Sequence, residues 1–237
     1  MMILLHLSAA ICYGAAWRFG RMFWLAASLH ALTIILPQEG GAYLGIGEWL
    51  SFFMLMTALL SWQRTRPLSR GIILCGAAAA VLLPLLLPTP STETPPVIFA
   101  HGLLAMLAYT FAAIALLQWL DLRQAERARR RLQADSAPPI LTMEEDCFRS
   151  LGWAFALLSL TLISGIAFAL ADSAANLPGH KMLFAALSWL TFGGLLLGRK
   201  FLGWRGHAAQ TWLATGFIFL LLSYFGTYFV LQVLLGR

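Results

Sequence analysis

The chain has 237 residues, 60% of them apolar and 11% charged, with a formal net charge of +6. Ordinary soluble domains carry roughly 45–50% apolar and about 25% charged residues, so these few charges exclude a water-covered surface, and lipid must solvate most of the chain. The excess of positive charge does not point to nucleic acid either, because the basic residues lie between apolar stretches rather than in one patch.

Apolar runs occur at about 2–17, 22–37, 44–62, 71–88, 97–120, 152–171, 181–198 and 208–234. A helix rises ~1.5 Å per residue, so a hydrocarbon core of ~30 Å needs about 20 residues. The fifth, sixth and eighth runs meet this length. The first two reach it only with flanking residues or tilt. Strand-type alternation is absent, which disfavours a membrane barrel. The expected fold is all-α, a polytopic membrane helix bundle of about eight transmembrane helices, with residues 1–237 forming a single transmembrane domain. The first run carries no basic residue before Arg18 and reads as a retained helix rather than a cleaved signal peptide.

Charge in the connections orients the spans. Arg18 and Arg21 follow the first run, and Arg64, Arg66 and Arg70 the third. Arg123, Arg127, Arg129, Arg130, Arg131 and Arg149 follow the fifth, and Arg199, Lys200 and Arg205 the seventh. Alternate connections thus hold fourteen of the sixteen basic residues, leaving Lys181 and Arg237 on the other side. The positive-inside rule makes those connections cytoplasmic and places both termini outside, in the periplasm. The long cytoplasmic connection, 121–150, begins as a continuation of the fifth helix. Glu126 and Arg130 are spaced as an i,i+4 pair, Pro138 and Pro139 break the helix, and Thr142-Met-Glu-Glu145 reads as a capping box opening the next one.

No P-loop, dinucleotide fingerprint, HExxH or nucleophile elbow stands with its required flanks. No catalytic residue is assigned, and an enzyme is not expected. Cys12, Cys75 and Cys147 form neither CxxC nor CxxCH. The acidic residues fall at Glu39, Glu48, Glu93 and Asp172 outside, with the other six in the long connection, so the usual intramembrane coupling carboxylate is missing.

The five histidines are therefore the informative residues. His101 lies about a turn inside the outer end of the fifth helix, and His180 at the outer start of the seventh. His6 falls in the outer part of the first helix, His30 near the middle of the second, and His207 in a cytoplasmic turn. Neutral imidazole ligates haem iron, and two histidines from different helices at similar depth can hold a haem from both faces. His101 and His180 are the best pair by depth; for His30 and His6, structural packing is the competing reading. Among the tryptophans, Trp17, Trp62, Trp119, Trp204 and Trp212 fall at cytoplasmic helix ends and Trp49 near the outer interface, the pattern of an aromatic belt. Met54, Met56 and Met106 read as gap-fillers ahead of ligands.

The fifth helix, Ala100-His-Gly-Leu-Leu-Ala-Met-Leu-Ala-Tyr109, resembles the histidine-opened helix of the bacterial cytochrome c assembly proteins of the CcsA/ResC type. The remainder carries the resemblance further, through Leu141-Thr-Met-Glu144, Ser164-Gly165, His180-Lys181, Ser188-Trp-Leu190, Gly198-Arg199, Gly203-Trp-Arg-Gly206, Gly216-Phe217 and Tyr224-Phe-Gly226. It covers residues 97–237; the first four helices agree in hydropathy and in their membrane histidines. The external tryptophan-rich signature of full members is missing between the sixth and seventh runs, so the chain is most similar to the short, HemX-like or YpjD-type branch. The resemblance implies a multi-pass protein of the bacterial inner membrane that binds or handles haem b non-covalently. It would be accessory to cytochrome c biogenesis or haem supply, beside other haem-handling or cytochrome c maturation proteins. The leading expectation is a bis-histidine site near the outer leaflet, with His101 and His180 on the haem iron. The alternatives are a membrane scaffold or regulatory partner that keeps the fold without haem and, third, a small-molecule or metal-ion transporter.

Overall fold

A computed structural model describes residues 2–36, 45–87, 95–132, 140–171 and 179–228. Regular structure among the described residues is entirely helical: α1 (Met2–Ala16), α2 (Met22–Ile35), α3 (Ile46–Ser61), α4 (Pro67–Ala80), α5 (Leu83–Leu86), α6 (Pro96–Leu132), α7 (Ile140–Ala171), α8 (Gly179–Leu202) and α9 (Gly206–Tyr228). Glu39, Glu93, Pro138, Pro139, Asp172 and Arg237 lie outside the described residues, as do the side chains of Arg130, Arg131 and His180. The expected Glu126–Arg130 pair therefore falls there too.

Four segments are long and apolar enough to cross a membrane: Pro67–Leu86, Pro96–Arg129, Ile140–Leu170 and Lys181–Leu202. The helices α1, α2 and α3 are apolar but shorter; the 15 residues of α1 span only about 22 Å. The fourth apolar run is broken into α4 and α5 by Pro84, which removes a backbone donor and crowds the carbonyl of Ala80, the last residue of α4. At 37 residues α6 extends about 55 Å, so its arginine-rich end projects beyond any bilayer core. The helical reading of the start of the long connection holds. The expected capping box does not: α7 already begins at Ile140, two residues before Thr142, directly after the two prolines. The architecture is that of a polytopic membrane helix bundle.

The chain forms two compact units, Met1–Met106 and Leu107–Arg237. In the first, α1 packs on α2 and α4, and α3 packs on the same two, so four helices surround one core; α5 leans on α3. The buried face of α1 is His6, Ala9, Tyr13 and Ala16, a 3.6-residue stripe. Its outward face is Ile3, Leu4, Leu7 and Ile11. The polar stripe faces in and the aliphatic one faces lipid, the reverse of a soluble helix. Met54 fills the space over Gly76, the gap-filling role expected for methionine.

In the second unit, α8 packs on α7 and α9. The Tyr109 hydroxyl of α6 donates to the Leu220 carbonyl of α9 at 2.7 Å. The Ser188 hydroxyl donates to the Gly216 carbonyl at 2.8 Å, and the indole N–H of Trp189 donates to Ser159 Oγ at 2.7 Å. Hydrogen bonds between helices are favoured where no water competes.

The aromatic belt is only partly realised. Trp17 is exposed and Trp212 partly so, but Trp62 and Trp119 are buried. The Trp62 ring stacks on Phe23 with centroids 3.9 Å apart, and the Arg70 guanidinium sits 4.8 Å from its centre. Trp119 meets Phe148 edge to face at 6.1 Å. These two rings are buried inside their units instead of facing headgroups, because each has a facing aromatic partner to pack against.

Candidate functional site

The first unit holds a chain of polar side chains inside its apolar walls. His30 of α2 is fully buried and lies between two hydroxyls. Its Nδ1 is 3.0 Å from the Tyr13 hydroxyl of α1, and its Nε2 is 2.7 Å from Ser51 Oγ of α3. One imidazole thus ties three helices together. Thr33 donates its hydroxyl to the His30 carbonyl at 2.7 Å, which satisfies a further polar group in the same core.

His6 and Glu48 stand beside this chain. His6 is 1% exposed, and its Nδ1–H donates to the Met2 carbonyl at 2.9 Å. Since a carbonyl can only accept, a neutral His6 ring leaves Nε2 as a bare acceptor, and that atom has no hydrogen-bond partner. Glu48 is 4% exposed. Gly45 is the N-cap of α3 and Glu48 the third residue inside it. The Glu48 carboxyl lies near the backbone N–H groups of Glu48 and Gly45 at the start of the helix, and its Oε1 has no hydrogen-bond partner. His6 lies within electrostatic reach of both Glu48 and His30. Glu48, expected on the outer side of the membrane, stands in the first turn of α3 with its side chain buried among the helices of the first unit. Tyr13, Ser51 and Glu48 were not singled out from the sequence. The 3.6-residue stripe that puts Tyr13 under His6 was the one available signal.

The structure brings His6 and His30 into one core. His101 lies six residues into α6, in the first unit, half-buried and with an interaction of its own. Its neighbour Gly102 admits the Trp49 ring, which would meet an added Cβ at 2.7 Å. His180 is the second residue of α8, in the second unit. His207 is exposed at the start of α9, in a turn made by Gly203 and Gly206 at φ +66° and +63°; the turn role expected for it agrees with this.

Haem is the group that the resemblance implies, and the first-unit histidines differ in their fit to it. Iron ligation needs a free ring nitrogen, with the other nitrogen commonly donating to a carbonyl or carboxylate that fixes the ring. His6 has that arrangement. His30 does not, because both of its ring nitrogens are already engaged. Among the described residues no group of three or more histidine, cysteine, aspartate or glutamate side chains is placed to hold a bare metal ion.

The motif residues of the second unit have structural tasks. The Trp204 ring lies on Gly198, and its backbone N–H donates to the Gly198 carbonyl at 3.2 Å. The Arg199 guanidinium sits 3.9 Å from the centre of the Phe148 ring, and Arg205 Nε is 3.7 Å from Glu144 Oε1. Glu144 and Arg205, from two motifs some sixty residues apart in sequence, thus form one ion pair. Gly216 faces the Phe192 ring at a distance that leaves no room for a Cβ.

Comparison with known proteins agrees with this architecture. The chain is similar to an uncharacterized 28.8 kDa protein in the nifR3-like 5' region of Azospirillum brasilense, at 29% identity over 202 residues, covering 82% of this chain and 74% of that protein. It is similar also to the inner membrane protein YpjD of Escherichia coli strain K12, at 24% identity over 225 residues, covering 89% of this chain and 85% of the other. No solved structure matches. With its membrane-spanning helices, the chain is a multi-pass inner membrane protein. The family described as "Cytochrome C assembly protein" matches residues 16–235, from the end of α1 past the end of α9. On the strength of that match, the chain belongs to the cytochrome c assembly protein family.

Proposed function

We propose that this protein handles haem b in the inner membrane as a non-enzymatic accessory to cytochrome c biogenesis or haem supply, with His101 and His180 as the axial ligands. The family match over residues 16–235 carries this reading. Both histidines lie within the first two turns of helices that begin, by the charge of their connections, at the outer face. His6, with its bare Nε2, is a further candidate within the first unit. When bound, haem supplies an iron whose potential and ligation the protein sets through axial ligands and burial. The side chains' part is to present neutral imidazole and keep water away. The protein purified in detergent and loaded with haem b is expected to show a Soret band that is diminished in His101→Ala and His180→Ala. Absence of the band after loading, or a band unchanged in both variants, would overturn the reading.

A second reading is favoured by one observation. Ser188, Trp189, Gly198, Trp204, Arg205 and Gly216, which carry much of the family pattern, are all used in helix packing. A scaffold that retains the fold without haem needs these residues and no histidine. Partner capture that depends on the arginine-rich segment 123–131 and survives loss of every histidine would favour it.

A further inference from the structure

We propose that the arginine-rich end of α6 holds the phosphate of an anionic phospholipid headgroup, with Arg123 and Arg127 as its cations. This goes beyond the haem reading and does not depend on it.

The end of α6 is not a free helix. Gln118 accepts a hydrogen bond from the Ser150 hydroxyl of α7 at 2.9 Å, and Trp119 meets Phe148 of the same helix edge to face. Beyond them Asp121, Leu122 and Ala125 are buried. A helix turns by about 100° per residue, so these three centre one face, and Arg123 and Arg127 share the opposite face, one turn apart. Arg123 is half-buried and Arg127 exposed. The ion pairs among the described residues are Arg149–Asp146 and Arg205–Glu144, while Arg70 and Arg199 lie over aromatic rings. Arg123 and Arg127 have no such partner among the described residues. Two cations on one helix face thus keep their charge uncompensated within the second unit.

Their height suits a lipid headgroup. The apolar run of α6 ends at Leu120. With a rise of ~1.5 Å per residue, Arg123 stands about 4.5 Å and Arg127 about 10 Å further along the axis. The headgroup layer occupies about 5–8 Å on each side of the hydrocarbon. Side chains on a helix lean toward its N-terminus. For α6, which is long and apolar enough to span, that direction leads back into the membrane. Both arginines therefore lean toward the lipid. A guanidinium grips phosphate oxygens with paired donors, and beside an anionic surface each such residue strengthens attachment about fivefold. An acidic polypeptide fits less well. Spread over this end, it would meet Glu126 of α6 and the exposed Glu145 of α7, whereas one phosphate group engages the arginines alone.

The test uses the whole, haem-free protein in nanodiscs of phosphatidylcholine, with or without phosphatidylglycerol, and reads amide hydrogen exchange. Phosphatidylglycerol is expected to slow exchange over residues 123–132 by about fivefold or more. The slowing is expected to vanish in Arg123→Gln with Arg127→Gln. It is expected to persist in Arg18→Gln with Arg21→Gln, which removes equal charge from another connection. Equal exchange in both lipids would overturn the proposal, as would a slowing that survives the first double variant or that inorganic phosphate reproduces in phosphatidylcholine alone. Slowing by added poly-glutamate but not by phosphatidylglycerol would also overturn it, and would assign the arginines to a polypeptide. Should the first double variant not fold, the unmodified protein decides. The slowing must then weaken as salt rises to about 1 M, and a slowing indifferent to salt would defeat the headgroup contact.

Discussion

His30 shows what a membrane interior demands of a polar side chain: both ring nitrogens are spent on neighbouring helices. Replacing it by phenylalanine strands the Tyr13 and Ser51 hydroxyls in a dry core. Interhelical hydrogen bonds in membranes contribute about 0.6 kcal/mol on average and up to ~1.7, so losing two is expected to destabilise the first unit by ~1–3 kcal/mol. Thermal unfolding in detergent measures this, and an unchanged transition would mean that the bonds contribute nothing. Gly216 makes the complementary case, because its lack of a side chain is what admits the Phe192 ring. Gly216→Leu is expected to destabilise by about 1–3 kcal/mol through overpacking, while Gly216→Leu with Phe192→Ala recovers part of the loss.

At the scale of elements, the α8–α9 turn is set by backbone as much as by charge. Gly203 and Gly206 both have left-handed φ, which costs an L side chain about 1–2 kcal/mol at each position. Alanine at both is expected to lower the melting temperature more than Arg205→Ala does. The Arg205 side chain is 62% exposed, and its pairing with Glu144 falls in the range of about 0–1 kcal/mol for solvated ion pairs. The reverse order of effects would show that the ion pair, rather than the turn, holds this end. Trp62 and Trp119 carry a second lesson at this scale. Position at a helix end predicted a belt, but a facing Phe23 or Phe148 buried the ring instead.

For the whole molecule, the inverted amphipathicity of α1 and the alternating basic connections describe one fact: lipid surrounds the bundle and water meets only its ends. Green fluorescent protein fused after Arg66, Arg131 or Arg205 is expected to fluoresce in the cytoplasm. Alkaline phosphatase fused after Glu39 or Glu93 is expected to be active outside. Fluorescence at Glu93 would reverse the assigned orientation. Helical class, span order and the extension of α6 past the membrane were legible in the sequence, because hydropathy and charge are summed over many residues and survive local error. The α4–α5 break and the start of α7 at Ile140 depend on one or two prolines each, and their effect on the flanking helix is local.

By itself the amino-acid sequence determined that this protein lives in a membrane, that its regular structure is helical and which residues carry the family pattern. Those properties belong to runs and motifs, and no contact is needed to read them. Only the tertiary structure decided that the Glu48 side chain is buried, that His6 keeps one bare nitrogen while His30 keeps none, and that Tyr13 and Ser51 join His30. Those properties depend on which side chains from other helices arrive at a given nitrogen or oxygen. Hydropathy cannot express that, because the same stripe of residues buries equally well against a partner that satisfies it and against one that does not.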